Sequence, residues 1–224
     1  MIRVLYEDNH LLCVEKPVNV PVMEDASKDT DLLTMCRQYL KEKYNKPGNV
    51  YLGLVHRLDR PVGGVMVFAK TSKAASRLSE AVRTKKLKKE YYAVLDGIPE
   101  ESSGTLTDYL VKDHRTNTVR TAGAEEGKKS VLHYETAAVK NHMALVHILL
   151  ETGRSHQIRV QFASRGLPLV CDQRYHPHPS KGQIALYAYK LTFPHPVKKE
   201  IITVTGTVPD TYPWSQFEVN YDNS

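Results

Sequence analysis

Residues 52–89 read LGLVHRLDRPVGGVMVFAKTSKAASRLSEAVRTKKLKK. An apolar run over 52–55 leads into a charged turn, and Val62-Gly63-Gly64 sends the chain into a second apolar run over 65–69. Thr71 or Ser72 can accept from the free N–H groups that open a helix, on which Ala75, Leu78 and Val82 then share one face. The succession is strand, cap, helix, and it closes on Arg83, Lys85, Lys86, Lys88 and Lys89.

Outward from this stretch the same reading gives short elements of both kinds. Residues 2–6 and 11–15 flank Glu7-Asp8-Asn9-His10 as a β-hairpin, ended by Lys16-Pro17. Leu32, Leu33, Cys36, Leu40 and Tyr44 have helical spacing within 29–44. Strands are expected at 91–95, stopped by Asp96-Gly97, and at 131–139 and 143–151, joined across Asn141-His142. A helix over 155–165 would stop at Gly166, and 186–193 would pair with 200–208 around Pro194-His195-Pro196. The tail after Pro209 reads as peripheral, pinned by Trp214 and Phe217, and the segment 112–130, rich in Thr, Gly and charge, reads as a mobile loop. Hairpins outnumber βαβ units, so the expected class is α+β, with a mixed, mainly antiparallel sheet and flanking helices.

The 224 residues are 41% hydrophobic and 25% charged, which excludes disorder as the dominant state and is expected to form one domain over 1–224. The apolar run 143–150 is broken by His147 and is too short to span a bilayer, which needs about 20 residues. Arg3, Glu7 and Asp8 interrupt what a signal peptide would keep apolar, and Cys13, Cys36 and Cys171 form an odd set with no metal or disulfide spacing, so a reducing cytoplasm is expected. A net charge of +6 points to a polyanionic partner. The cluster at 83–89, and Lys112, Arg115, Arg120, Lys128 and Lys129, suit nucleic acid about as well as they suit a solvated basic face.

Two constellations could carry chemistry. In His56-Arg57-Leu58-Asp59, followed by Arg60, the cationic neighbours favour an ionised Asp59 that could act as nucleophile or base. On spacing alone the other reading, a turn-capping Asp paired with an arginine, carries more weight. In Gly153-Arg154-Ser155-His156-Gln157-Ile158-Arg159, Arg159 could meet an acid or a phosphate bidentately, or stand solvated at a helix start. No Walker or GxGxxG loop is present, and the pair in His176-Pro177-His178 lacks a carboxylate cluster, so neither nucleotide cofactor nor metal is expected.

The blocks VLYEDNHLLCVEKP, GLVHRLDRPVGGVMVFAKT, KKEYYAVLDG, GRSHQIRVQFASRGLPLVCDQRYH and ALYAYKLTFPHP resemble, in content, order and spacing, the RluA class of pseudouridine synthases over about residues 2–208. The resemblance implies the pseudouridine synthase catalytic fold with a central RNA-binding cleft, and isomerisation of uridine in ribosomal or transfer RNA without a cofactor. It implies that Asp59 is the catalytic carboxylate, that Tyr91 lies against the uracil and assists proton removal at carbon 5, and that Arg159 forms a salt bridge to the catalytic Asp. Arg57 matches the residue that takes the place of the extruded uridine, and His56, Arg60, Arg83, Lys85, Lys86, Lys88, Lys89, Arg154 and His156 are expected along the RNA. The chain starts at the catalytic-domain strand, so no separate N-terminal RNA-binding module is expected, and a monomer is. Asn19, Gln161, Cys171 and Tyr187 depart from the residues usual in the family. Two rival readings are a catalytically silent RNA-binding or ribosome-assembly factor of the same fold, and a hydrolase using His56 and Asp59, which lacks a nucleophile elbow.

Overall fold

The computed structural model describes residues 2–218. In chain order the elements are β1 (Arg3–Glu7), β2 (Leu11–Lys16), α1 (Leu32–Lys43), β3 (Gly53–Leu54), β4 (Gly63–Ala69), α2 (Ser72–Arg83), β5 (Lys88–Asp96), β6 (Ser103–Asp113), β7 (Thr118–Ala122), β8 (Lys128–Lys140), β9 (Met143–Leu150), α3 (Gln157–Ala163), β10 (Leu186–Pro194) and β11 (Ile201–Thr205), followed by a 3-10 turn at Trp214–Gln216. They group into two compact units, Met1–Lys89 with Ala188–Thr207, and Glu90–Tyr187 with Val208–Ser224. The class is α+β, as the pattern implied.

In the first unit the strand order is β1-β2-β4-β10, with β11 on β10 and β3 on β4. Every residue of β4 is buried, which explains why its sequence is an unbroken apolar run. It pairs antiparallel with β2 from Leu11↔Ala69 to Lys16↔Gly64. Gly64 has φ of +128°, and a Cβ there would stand 2.2 Å from the carbonyl oxygen of Ala188, so the close approach of β10 needs glycine. Thr71 caps α2 by accepting from the Ala74 N–H, and the helix buries Ala74, Leu78 and Ala81 on Leu11, Cys13, Val65, Val67 and Ala69. The helix expected from residue 29 begins at Leu32, because the Asp31 carboxylate accepts from the Thr34 N–H and fixes the start there.

In the second unit the order is β5-β9-β8-β6-β7. The β8–β9 hairpin closes through Asn141 and His142, both at positive φ (50° and 63°), the signature of a two-residue type I′ turn. The segment 112–130 is not a loop. It completes β6, forms β7 and enters β8, with Asp113 Oδ1 accepting from the Arg115 N–H in the first turn. The β-branched Thr118, Val119 and Thr121 make a strand there, too short and with only Val119 buried to show an alternation. Helix α3 is shorter than expected at seven residues, and Gly166, at φ of 73°, ends its last turn. Trp214 and Phe217 are buried, as a pinned tail requires, and the expected peripheral tail beyond residue 218 lies outside the described residues. Among the described residues no helix is long and apolar enough to cross a membrane.

Candidate active site

In the first unit Asp59 stands half-buried on the connection between β3 and β4, where its carbonyl oxygen accepts from the Val62 N–H at 3.0 Å and closes the turn. The flanking residues have separate fates. Leu58 is buried, anchoring the turn, while Arg57 is exposed and its Nη1 lies 4.0 Å from Met23 Sδ. His56 is buried, with Nε2 accepting from the Val67 N–H at 3.1 Å. Burial, with Lys89 nearby, pushes its pKa down to about 3, so the imidazole is neutral at physiological pH. His56 thus faces the backbone of β4.

Lys16 lies beneath this turn and is 1% exposed. Its Nζ donates to the carbonyl oxygens of Pro17 at 2.8 Å and Arg60 at 2.9 Å. Burial pushes its pKa down to about 7, with Asp59 opposing and Arg60 reinforcing the fall. The Arg60 guanidinium turns toward residues 19–29: Nε donates to the Asn19 carbonyl at 3.2 Å, Nη1 is 3.5 Å from Asp25 Oδ2, and Nη2 is hydrogen-bonded to Asp29. A carboxylate on a turn whose backbone is pinned in this way is placed to meet developing positive charge.

The basic cluster begins at the end of α2. Lys85, Lys86 and Lys88 are exposed. Arg83 spends both arms of its fork on Glu80, at 2.8 Å and 2.5 Å, and burial lowers the pKa of the half-buried Lys89.

Tyr91, Arg154, His156 and Arg159 belong to the second unit. Tyr91 is 7% exposed in β5, and its neighbour Tyr92 packs on His147 at 5.2 Å between ring centroids. Arg159 is buried and meets Asp172 through Nε to Oδ2 at 2.8 Å and Nη2 to Oδ1 at 2.6 Å. Asp172 also accepts from the Arg174 and Tyr175 N–H groups. Burial raises its pKa, but Arg159 and these N–H donors outweigh that and hold the carboxyl below its usual range. The Tyr175 ring stacks on the Arg159 guanidinium at 5.0 Å, and Tyr175 Oη lies 2.6 Å from Nδ1 of His156, the left-handed residue that opens α3. Arg154 is exposed, with Nε donating to the Lys129 carbonyl. Gln161 accepts from Gln157 and donates to Asp108 at 2.7 Å and to the Ser130 carbonyl, so both ends of the amide are used in a buried network that fixes α3.

Lys16 and Asp172 were not expected among the functional residues. Lys16 ends an alternating strand and reads as punctuation before Pro17, while Asp172 sits in an irregular segment with no periodicity to mark its burial. The signal for both lay in their place within the quoted blocks, EKP and VCDQRYH.

Residues 10–164 match the family model described as RNA pseudouridylate synthase. The chain is 32% identical over 218 residues to an uncharacterized RNA pseudouridine synthase of Zymomonas mobilis, covering 94% of this chain and 95% of that protein. It is 32% identical over 209 residues to another of Bacillus subtilis, covering 92% and 68%. Ribosomal large subunit pseudouridine synthase D of Yersinia pestis is 34% identical over 211 residues, covering 87% and 63%. Human RNA pseudouridylate synthase domain containing 4 superposes with a TM-score of 0.79 at 21% identity, covering 92% and 88%, which supports the fold. The chain belongs to the RNA pseudouridylate synthase family, in its RluA class, and is an isomerase that converts uridine to pseudouridine in RNA.

Proposed function

We propose that this isomerase acts on uridine in ribosomal RNA, that Asp59 is its catalytic carboxylate, and that the target nucleotide is flipped out of the stack before reaction. The observation that carries the reading is Asp59 half-buried on a closed turn, with the buried Lys16 Nζ holding the Arg60 carbonyl next to it. Cleaving the bond between carbon 1′ and nitrogen 1 develops positive charge on the sugar, which an ionised carboxylate stabilises or captures. Whether the carboxylate adds to carbon 1′ or removes a sugar proton to give a glycal, it must start deprotonated. The base then rejoins through carbon 5, and the proton on carbon 5 leaves as nitrogen 1 gains one, so mass is conserved. Tyr91 carries the family role against the uracil, and Arg159, held rigid by Asp172 and Tyr175, the role of the site's arginine.

Flipping a base costs a few kcal/mol, offset by phosphate contacts and by a side chain that fills the gap. Arg57, exposed beside Met23, suits that second task, and the exposed Lys85, Lys86, Lys88 and Arg154 suit the first, whereas Arg83 is paired with Glu80 and His156 with Tyr175. The ribosomal substrate is supported by the Yersinia relative's name, with transfer RNA the alternative. The family match runs across both compact units, which supports one catalytic domain; that it acts in the cytoplasm as a monomer without cofactor is part of the same proposal. The test is to incubate ribosomal and transfer RNA with purified protein and chelator, digest, and separate nucleosides by chromatography with mass detection. A pseudouridine peak from ribosomal RNA, lost in Asp59→Asn, is expected. Turnover by a verified Asp59→Asn protein would overturn the catalytic assignment, and modification of transfer RNA alone would overturn the substrate.

A further inference from the structure

The side chain of Arg60 was expected along the RNA, yet it is aimed at the protein's own residues 17–31, and three acceptors there receive it. This segment carries Glu24, Asp25, Asp29 and Asp31 against the single cation Lys28, so it repels phosphate rather than collecting it. Its base is closed by the Leu32 N–H on the Pro21 carbonyl and the Leu33 N–H on the Val22 carbonyl, with Val22 buried. Its outer part is exposed at Met23, 44%, and Val18, 39%. Within it Asp25 is shaped as an acceptor by the N–H and hydroxyl of Ser27, at 2.9 Å and 2.6 Å. Hydrogen bonding to Ser27, with Arg60, lowers the Asp25 pKa, and hydrogen bonding to Arg60 lowers that of Asp29, so both partners are anionic at neutral pH.

We propose that Arg60 is a positioning residue for the isomerisation, a clamp that ties the 17–31 segment to the turn bearing Asp59, and that RNA does not bind its guanidinium. The clamp acts at two levels. The Arg60 carbonyl is fixed by Lys16 Nζ, which sets the Arg60–Pro61 peptide one residue past Asp59, and the Arg60 side chain sets the segment that brings Met23 against Arg57. Releasing the fork lets both Asp59 and the Met23–Arg57 pair drift, and misplacement of about 1 Å is enough to cost on the order of a hundredfold in rate. An ammonium in place of the fork cannot serve an arginine's divergent acceptors, so Lys does not replace Arg.

The inference rests on Asp59 as the catalytic carboxylate, and the experiment separates the two claims. Single-turnover rate, RNA affinity and its salt dependence are measured for wild type, Arg60→Met, Arg60→Lys, Asp25→Asn/Asp29→Asn and the combined variant, with Asp59→Asn as control. Expected is a rate reduced roughly 10- to 100-fold in both Arg60→Met and Arg60→Lys, a similar loss in Asp25→Asn/Asp29→Asn, and no further loss on combination. The slope of log affinity against log salt stays that of wild type. A slope shallower by about 0.7 to 0.9 in Arg60→Met, rate rescue in Arg60→Lys, or additive losses would show Arg60 to be a phosphate contact and overturn the clamp. Undiminished turnover by Asp59→Asn would instead overturn the catalytic reading, whatever Arg60 does.

Discussion

Replacing Lys16 with Met removes a buried cation and keeps most of its volume, and the consequence depends on pH. The folded-state pKa of about 7, set against 10.5 in the unfolded chain, means that folding an ammonium into this site is penalised. The shift corresponds to about 5 kcal/mol. The sign follows from proton counting. Between pH 7 and 10.5 the unfolded chain holds a proton that the folded chain has given up, so stability rises with pH through that window and the penalty is complete below 7. Lys16→Met carries no such proton. It does leave the Pro17 and Arg60 carbonyls without their donor, a loss of about 1–3 kcal/mol per orphaned acceptor.

Near pH 7 these effects oppose each other, and the two proteins should differ little in stability. By pH 9.5 the wild-type amine is neutral yet still donates to both carbonyls, and the wild type should lead. Urea unfolding at intervals from pH 7.5 to 9.5, followed by fluorescence of Trp214, gives the difference at each pH. It should widen by about 1.4 kcal/mol per unit, roughly 2.5 kcal/mol across the range. Lys89, also depressed by burial, is present in both proteins and cancels. Parallel stability curves, their separation constant within about 0.5 kcal/mol, would mean that the attraction of Asp59 outweighs burial and that Lys16 keeps an ordinary pKa.

Asp172→Asn strips a buried arginine of its partner and should cost about 3–5 kcal/mol in chemical denaturation, together with a loss of turnover through Arg159; a variant as stable as wild type would show that the pair is dispensable. Burial alone would raise the pKa of Glu7, but hydrogen bonds from Lys43, Lys70, Tyr44 and Tyr39 bring it down to about 2, so its contribution of about 3 kcal/mol is intact above pH 4.5 and lost as the pH falls through 2; acid unfolding of Glu7→Gln should lack that component. Gly64→Ala should destabilise by about 3 kcal/mol or more, since the new Cβ meets backbone of β10, and an unchanged thermal midpoint would refute the close approach. Neutralising Lys85, Lys86, Lys88 and Lys89 should lower the salt slope of RNA binding by about 0.7 to 0.9 for each phosphate that the variant no longer neutralises, whereas an unchanged slope would make the cluster a solvated helix end.

What the sequence revealed and what it hid divide along a physical line. The β4–α2 stretch was legible because its signals are local, an apolar run and a hydroxyl one residue before a helix, although the face read as Ala75, Leu78 and Val82 is turned so that Ala74, Leu78 and Ala81 are buried while Ala75 and Val82 are only partly covered. Edge strand β7 was not, since a five-residue strand with Val119 alone buried resembles a loop when read residue by residue. Charge type alone does not say where the Arg60 side chain points. An arginine announces its valence, but whether phosphate or carboxylate receives it depends on residues 31 to 41 positions away in the chain.

Asn19 joins the two kinds of information. It stands where the family has glycine, and its φ of 62° shows that the left-handed backbone persists without glycine. Cys171, a second departure from glycine, is left-handed as well at φ of 60°, a conformation that costs roughly 1–2 kcal/mol for most side chains and less for asparagine. At Asn19 that backbone turns the carbonyl toward Arg60 Nε, making it the first of the three acceptors on the guanidinium. The substitution that looked like a loss of family geometry therefore preserves it, and the carbonyl so directed helps take Arg60 away from RNA. A residue at this position that favours extended backbone, such as Val, should withdraw the acceptor and weaken the clamp while leaving every charge in place. Asn19→Val is accordingly expected to lower the single-turnover rate as Arg60→Met does, with an unchanged salt slope, and a wild-type rate in that variant would remove the Asn19 carbonyl from the argument.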